Sequence, residues 1–178
     1  MAWYVLFVKT GYEDYMAQQI SRTWQINGLK PFVPVYDSYF KKGGKLLPEK
    51  KRCVPGYVFI ESDISGIDFY IATKPFINSF KNSFKLLRYG DGNLDQSFEM
   101  REEERDIIEK LLNSERCIEI SKGIIEGCNV TIREGPLVGL EGFIRRVYRH
   151  KREAVVEFEM MGAKREVVVG LEIVKKSS

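Results

Sequence analysis

Residues 127–144 read GCNVTIREGPLVGLEGFI, and this stretch decides the fold of the C-terminal third of the chain. β-Branched and apolar residues recur here in short runs, and further short runs follow at intervals of about ten residues. We predict strands over residues 130–132, 142–148, 154–159 and 166–169. Gly139 and Gly142 lie where a small barrel needs tight bends, although ordinary turn glycines would give the same pattern. The spacing predicts a small all-β barrel over residues 124–178.

The N-terminal part of the chain has a different pattern, typical of mixed helices and strands. Residues 3–8 are β-branched and aromatic and predict a buried strand. An apolar residue at every fourth position then predicts a helix that ends at Asn27-Gly28. Its predicted buried face consists of Tyr12, Met16, Ile20 and Trp24. Further predicted elements are extended chain at 29–40, strands at 56–61 and 84–89, a weaker helix at 64–73 and a helix at 100–113.

Together these patterns predict an α+β fold. An antiparallel sheet with flanking helices occupies residues 1–113, and the barrel occupies residues 124–178. Residues 114–123 alternate charged with isolated apolar residues, and we predict a linker there.

Composition limits the class of protein. A chain of 178 residues with 44% hydrophobic and 30% charged residues is expected to fold rather than to be disordered. The apolar run at Met1–Val8 is too short to span a membrane and follows no basic region, so we expect neither a signal peptide nor a transmembrane helix, and a cytoplasmic protein. Cys53, Cys117 and Cys128 form no CxxC pair and are odd in number, so we expect reduced thiols.

Residues suited to catalysis are scarce. His150 is the single histidine, and no spacing places it in a catalytic triad or a zinc site. Glu102, Glu103 and Glu104 are consecutive on a predicted helix, where they point in different directions and favour its N-terminal end. We predict no enzymatic activity, no metal and no cofactor.

Basic residues are concentrated in two segments, although the net charge is only +3. The first segment contains Lys41, Lys42, Lys45, Lys50, Lys51 and Arg52 against the single acid Glu49. The second contains Arg145, Arg146, Arg149, His150, Lys151 and Arg152 and no acid. A solvated hairpin loop would explain either segment alone, whereas two such segments favour binding to nucleic acid.

Several motifs, in order along the chain, resemble one known family. They are Trp3-Tyr4, Lys9-Thr10-Gly11-Tyr12-Glu13, Gly43-Gly44-Lys45 and Pro55-Gly56-Tyr57-Val58-Phe59. This order resembles the N-terminal NGN domain of NusG-family transcription elongation factors, and residues 127–144 resemble the KOW module that follows it. The resemblance implies an NGN domain at 1–113 that binds the clamp helices of RNA polymerase, a linker at 114–123 and a KOW β-barrel at 124–178.

Within that family, residues 134–143 are most similar to the specialised antitermination paralogues of the LoaP type, and more distantly to the RfaH type. Housekeeping members carry Phe-Gly-Arg where this chain has Met161-Gly162-Ala163, which puts contacts with Rho and a ribosomal protein in doubt. The resemblance therefore implies a processive antitermination factor that binds a hairpin in nascent RNA. Two alternatives stay open: a housekeeping NusG-type factor coupled to Rho or the ribosome, and a ribosome-associated KOW RNA-binding protein. Because β-branched residues are frequent in the KOW segment, we expect it to remain β.

Candidate contact residues follow from strand geometry and from the resemblance. Tyr57 and Phe59 point to one face of a strand, and Val58 and Ile60 point to the other. With the resemblance, Tyr57, Phe59 and Phe7 become the predicted contacts with RNA polymerase. The predicted RNA-binding residues are Arg145, Arg146, Arg149, His150, Lys151 and Arg152, with Lys164 and Arg165 in the opposite turn. The first basic segment is a second candidate for contact with nucleic acid, with non-template DNA as a further partner, and we expect a monomer that does not bind membranes.

Overall fold

The structure is a computed structural model that describes residues 1–79, 84–90, 98–127 and 129–174. In chain order its elements are β1 (Ala2–Val8), α1 (Glu13–Thr23), β2 (Lys30–Phe32), β3 (Val35–Lys42), β4 (Lys45–Arg52), β5 (Tyr57–Ser62), α2 (Gly66–Ser79), β6 (Phe84–Leu86), α3 (Glu102–Leu111), β7 (Cys117–Ile118), β8 (Ser121–Glu126), β9 (Asn129–Glu134), a 3-10 turn (Glu141–Phe143), β10 (Ile144–Tyr148), β11 (Glu153–Met160) and β12 (Ala163–Ile173). The described residues thus form three α-helices and many strands, which confirms a mixed fold of helices and strands.

The chain divides into two units. The first comprises Met1–Val33, Pro55–Asp106 and Met160–Ala163, and the second comprises Pro34–Val54, Ile107–Glu159 and Lys164–Ser178. The hairpin β3–β4, which the sequence placed in the N-terminal domain, therefore groups with the C-terminal strands. The predicted module boundaries at residues 113 and 124 stay a prediction, and residues 175–178 lie outside the described part.

The first unit contains a four-stranded sheet in the order β2-β5-β1-β6. The central strands β1 and β5 are antiparallel, with Val5 opposite Phe59. Val58 and Ile60 join the core that also buries Met16 and Ile20 of α1. The predicted helix stripe is thus confirmed from Met16 onward, because burial of this apolar face holds the helix against the sheet.

Tyr12 does not belong to that stripe. It precedes α1, and its side chain is half exposed. The four-residue spacing gave it a helical position, but the chain enters the helix only at Glu13. The prediction for Tyr12 was therefore wrong.

Helix α2 extends beyond its predicted end at Thr73 and contains Pro75 within its last turns. An interior proline removes one helix hydrogen bond and disfavours the helical conformation of the residue before it, so a pattern-based prediction stops there. Phe76 and Ile77 pack against the core of the first unit. This burial of apolar surface after the proline offsets the local cost of the proline.

The second unit contains a five-stranded sheet in the order β10-β11-β12-β8-β9 and a three-stranded sheet in the order β4-β3-β7. Strands β9 to β12 confirm the four strands predicted from the spacing. The predicted linker, however, contains β7 and the first residues of β8. Strand β7 pairs in parallel with β3, with Cys117 opposite Val35. A two-residue strand whose partner lies far away in the chain leaves no local sequence pattern. For this reason the sequence of residues 114–123 predicted a linker.

Two cysteines, Cys53 and Cys117, lie within the described residues, and both are free and buried. Burial raises the pKa of the Cys53 thiol to about 12, so it stays protonated and unreactive. Cys128 lies outside the described residues. Among the helices that the structure describes, none combines the length and the apolar character needed to cross a membrane.

Gly135, in the stretch that decides the C-terminal fold, has a left-handed backbone with φ +96, and an added Cβ would lie 2.7 Å from the Ser121 Cα. We expect Gly135→Ala to lower the free energy of unfolding by more than the roughly 1–2 kcal/mol of left-handed strain alone. Gly139→Ala is the matched control, because Gly139 has φ +78 and open space around it. Urea denaturation of both variants measures the difference, and equal decreases would contradict the close approach to Ser121.

Candidate nucleic-acid interface and docking surface

The second basic segment, from Arg145 to Arg152, covers most of β10 and the turn that connects it to β11. These strands are antiparallel, with Tyr148 opposite Glu153. The backbone N–H of Lys151 donates to the Tyr148 carbonyl over 3.0 Å, and Arg152 adopts a left-handed backbone with φ 55. The tight turn therefore presents its basic side chains on successive residues.

Several of the predicted RNA-binding residues take part in ion pairs with the protein's own carboxylates. Arg145 and Lys164 both pair with Glu157, at 3.2 and 3.5 Å. Arg146 pairs with Glu166 at 3.2 Å, and Arg152 pairs with Glu172 at 3.7 Å. These carboxylates neutralise part of the positive charge that the sequence displays.

Glu157 is the shared partner in this network. Its hydrogen bond from Arg145 holds the pKa of its carboxyl below the ordinary value, with a further contribution from the charge of Lys164. The carboxylate is therefore ionised at neutral pH and competes with any anionic ligand for both cations.

The remaining basic side chains of the turn face solvent. Arg149, His150 and Lys151 are exposed, and within the described part of the chain no carboxylate forms an ion pair with them. The Lys151 ammonium lies 5.4 Å from the centroid of the Tyr148 ring. Arg149 and Lys151 therefore carry positive charge that is available to a ligand, and the His150 imidazole is exposed between them.

The first basic segment also contains both residues that form ion pairs and residues that do not. Lys50 pairs with Asp37 at 3.7 Å and with Glu115 at 3.5 Å. Lys51 pairs with Glu49 at 3.0 Å and with Glu153 at 3.1 Å. By contrast, the residues near the tip are exposed, and no ion pair joins them to a described carboxylate. They are Lys41, Lys42 and Lys45. Arg52 and Arg165 are half-buried.

Tertiary structure brings the two basic segments together inside the second unit. A cavity of about 400 Å³ is lined by Lys41 and Lys51 from the hairpin and by His150, Lys151 and Arg152 from the turn. The sequence identified both segments but contained no signal that they meet.

Glu153 is the residue that joins the hairpin to β11. Its carboxylate is buried and accepts hydrogen bonds from the Tyr36 hydroxyl over 3.1 Å, from the Ser38 hydroxyl over 3.4 Å and from the Lys51 ammonium over 3.1 Å. Burial, followed by the nearby charge of Glu153, raises the pKa of the Tyr36 phenol above its ordinary value. Tyr36 therefore remains protonated and remains a donor to Glu153.

The predicted docking residues have different positions in the first unit. Phe7 is 48% exposed, and its ring centroid lies 5.4 Å from that of Tyr57, which is half-buried. Phe59, by contrast, is fully buried and packs against Phe32 and Trp3, with ring centroids 5.5 and 6.2 Å away. The Phe59 side chain is thus not presented to a partner, because the aromatic cluster covers its part of the sheet face. The candidate surface reduces to Phe7 and Tyr57.

Glu13 supports this surface, and the sequence analysis missed its role. Its side chain is fully buried. Its carboxylate accepts hydrogen bonds from the backbone N–H of Gly11 over 2.8 Å and of Gly56 over 2.7 Å. Glu13 therefore ties the loop after β1 to the loop before β5, beside the two aromatic rings. Its position at the end of the motif Lys9 to Glu13 was the one feature of the sequence that could have indicated this role.

Comparison with known proteins agrees with this arrangement of elements. A family model described as "Transcription termination factor nusG" matches residues 1–109, which is more than half of the chain. The chain belongs to the NusG family. It is a NusG-family transcription termination/antitermination factor, and factors of this family are not enzymes.

Full-length relatives are also found. The "Transcription termination/antitermination protein NusG" of Halalkalibacterium halodurans is 26% identical over 176 residues, which covers 96% of this chain and 94% of that protein. The protein of the same name from Staphylococcus aureus is 22% identical over 180 residues, which covers 98% of this chain and 94% of its own length. The similarity to NusG-family proteins therefore extends through both basic segments.

Metal-binding groups are absent from the described residues, where no cluster of three or more histidine, cysteine, aspartate or glutamate side chains is suited to hold an ion. The consecutive acids of α3 illustrate the reason. Glu102 and Glu103 are exposed, whereas Glu104 is buried and accepts a hydrogen bond from the Tyr89 hydroxyl over 2.7 Å. The acids point in different directions, as their spacing on a helix predicted.

We expect Glu13→Gln to loosen the loops beside Phe7 and Tyr57. The amide group replaces one acceptor oxygen with a donor that faces a backbone N–H, at a cost of about 1–3 kcal/mol. Hydrogen exchange of the Gly11 and Gly56 amides measures the effect, and protection should fall by about tenfold or more. Asp14→Asn is the control, since Asp14 is the exposed acid next in sequence. Unchanged protection of both amides in Glu13→Gln would contradict the role of Glu13.

Proposed function

We propose that this NusG-family chain is a processive transcription antitermination and elongation factor. It binds the clamp helices of RNA polymerase through its N-terminal NGN domain, and it binds a structured hairpin in nascent RNA through strands β8 to β12, which we assign to a KOW barrel. The tip of the hairpin β3–β4 is a candidate contact for non-template DNA. The proposed factor acts as a monomer in the cytoplasm.

The observation that carries the RNA-binding proposal is the set of solvent-facing basic residues on the β10–β11 turn, in which Arg149 and Lys151 carry the positive charge. Arg149, His150 and Lys151 are adjacent and exposed, and no described carboxylate neutralises them. An RNA stem has base edges in a deep, narrow groove, so a protein binds it through phosphates and through arginine stacking in loops or bulges. Exposed, unneutralised cations on one tight turn match that chemistry.

Support for polymerase binding comes from the Phe7 and Tyr57 rings. A half-exposed phenylalanine beside a tyrosine is typical of the aromatic residues that dominate binding energy at protein interfaces. Both rings lie on the sheet of the segment that matches the family model. We therefore assign this pair, without Phe59, to the contact with RNA polymerase.

The alternative is a housekeeping factor coupled to Rho or the ribosome, and the relatives' names include termination as well as antitermination. The turn Met161-Gly162-Ala163 argues against it, since it lacks the Phe-Gly-Arg sequence used for those contacts. In the first unit, the backbone N–H groups of Met161 and Gly162 donate to the Glu104 carboxylate over 2.7 and 3.1 Å. The backbone of this turn is therefore already engaged.

Binding of purified protein to a panel of structured leader RNAs, titrated over salt, tests the RNA-binding proposal. We expect tight binding to one hairpin that scrambled-stem and single-stranded competitors do not displace. Arg149→Ala should lower the log-log salt slope by about one unit for each phosphate that the arginine neutralises in the wild-type complex. Glu157→Gln should strengthen binding and steepen the slope, because it releases Arg145 and Lys164.

Arg133→Ala is the control for these variants, because Arg133 is an exposed arginine of the same unit outside both basic segments. Equal decreases in Arg133→Ala and Arg149→Ala would indicate a general charge effect. Weak binding of the wild-type protein to every RNA would overturn the hairpin proposal and favour a general elongation factor.

Alanine substitution tests the polymerase surface. We expect Phe7→Ala and Tyr57→Ala each to weaken binding to core RNA polymerase by about 2 kcal/mol or more, roughly thirtyfold. Ile71→Ala is the matched control, since Ile71 is 61% exposed on α2, away from both rings in sequence and on a different element. Competition binding with labelled wild-type protein measures the affinities. Wild-type affinity in both aromatic variants would exclude this surface.

A further inference from the structure

The cavity between the hairpin β3–β4 and the β10–β11 turn has features that the proposed hairpin binding does not explain. Its volume of about 400 Å³ lies at the small end of the range for pockets that hold small molecules. A phosphate-binding surface for an RNA stem needs only exposed cations, whereas here the two basic segments line a half-open cavity. The cavity therefore fits a group that leaves the stem and enters it.

Two lysines, Lys41 and Lys151, bring positive charge to the rim of the cavity, beside the His150 imidazole. Lys41, His150 and Lys151 line it, all three are exposed, and none forms an ion pair with a described carboxylate. They come from both basic segments. A nucleotide phosphate at this rim would be contacted from two sides.

The wall of the cavity offers surfaces on which a base can stack. The Arg152 guanidinium lies 5.6 Å from the centroid of the Tyr39 ring and also forms an ion pair with Glu172 at 3.7 Å. Leu46, which is 46% exposed, adds an apolar side chain. Unpaired bases stack on aromatic rings and on arginine planes, so these groups favour a nucleotide over a simple anion.

The floor of the cavity contains a hydrogen-bond acceptor. Glu153 lines it, and all three hydrogen bonds from Tyr36, Ser38 and Lys51 go to its Oε1 atom. Its Oε2 atom takes none of these three. A carboxylate repels a bare phosphate but accepts a hydrogen bond from a ribose hydroxyl. The 2′-hydroxyl is the group that distinguishes RNA from DNA.

We infer that this cavity binds one unpaired ribonucleotide of the RNA, such as a bulged or loop nucleotide. Its phosphate lies at the Lys41, His150 and Lys151 rim, its base stacks beside Tyr39 and Arg152, and its 2′-hydroxyl donates to Glu153. The inference rests on the proposed RNA-binding function and specifies the feature of the RNA that is recognised. It also explains why two distant basic segments meet at one cavity.

A mononucleotide titration tests the pocket by itself. His150 is the single histidine of the chain, so its imidazole gives one distinct NMR signal without competing resonances. At constant pH, adenosine 5′-monophosphate should shift this signal, and 2′-deoxyadenosine 5′-monophosphate should bind about tenfold more weakly because it lacks one hydrogen bond to a carboxylate. Inorganic phosphate should bind more weakly still.

Three other results of this titration would overturn the inference of a ribonucleotide pocket. Equal shifts with phosphate would mean an anion site only, and equal affinity for the deoxynucleotide would mean a site that does not select RNA. The absence of any shift with adenosine monophosphate would exclude a nucleotide pocket.

A hairpin titration with matched variants connects the pocket to RNA recognition. The probe is one RNA stem-loop prepared with and without a single bulged nucleotide. We expect the wild type to prefer the bulged RNA by about tenfold, Lys41→Ala to abolish this preference and Arg133→Ala to keep it. Arg133 is an exposed basic residue of the same unit that lies outside both basic segments and does not line the cavity.

The two titrations separate the inference from the proposed function. Binding to neither stem-loop nor leader RNA, with a normal response to adenosine monophosphate, would overturn hairpin binding but leave the nucleotide pocket. Tight hairpin binding with no preference for the bulge, or with equal effects of Lys41→Ala and Arg133→Ala, would overturn the pocket and leave the proposed function.

Discussion

The buried Glu153 carboxylate is the interaction on which the arrangement of the second unit depends. It accepts hydrogen bonds from Tyr36, Ser38 and Lys51 of the hairpin while its own backbone belongs to β11. A buried charge without partners would cost several kcal/mol. The hairpin must therefore stay beside β11 in a register that supplies these donors. That register also brings Lys41 of the hairpin to the same cavity as His150 and Lys151 of the turn.

The same use of buried carboxylates recurs in the first unit. Glu13 accepts hydrogen bonds from two backbone N–H groups of the loops beside Phe7 and Tyr57. Glu104 accepts from the Tyr89 hydroxyl and from the backbone of Met161 and Gly162. In each case a buried glutamate accepts hydrogen bonds from backbone N–H groups in the loops or turns that flank strands. Loops held in this way present side chains in a fixed geometry, as a binding surface requires.

Carboxylates nearer the surface neutralise basic side chains instead of positioning loops. Glu157, Glu166 and Glu172 each pair with a basic residue of the C-terminal strands. Surface ion pairs contribute little to stability, but they lower the positive potential around these basic residues. On the β10–β11 turn, the positive charge that remains is concentrated at Arg149 and Lys151. The charge that this surface offers to a ligand is therefore local.

The sequence by itself determined the local elements and the chemical character of the candidate surfaces. Periodicity predicted α1 and the strands β9 to β12, because burial of one face imposes a repeat on neighbouring residues. The two basic segments and the aromatic motif around Tyr57 were also visible. Tertiary structure alone decided that Phe59 is buried, that β7 pairs with β3, which cations are neutralised, and that the two basic segments share one cavity. Each of these depends on residues far apart in the chain, whose meeting leaves no periodic signal in either segment.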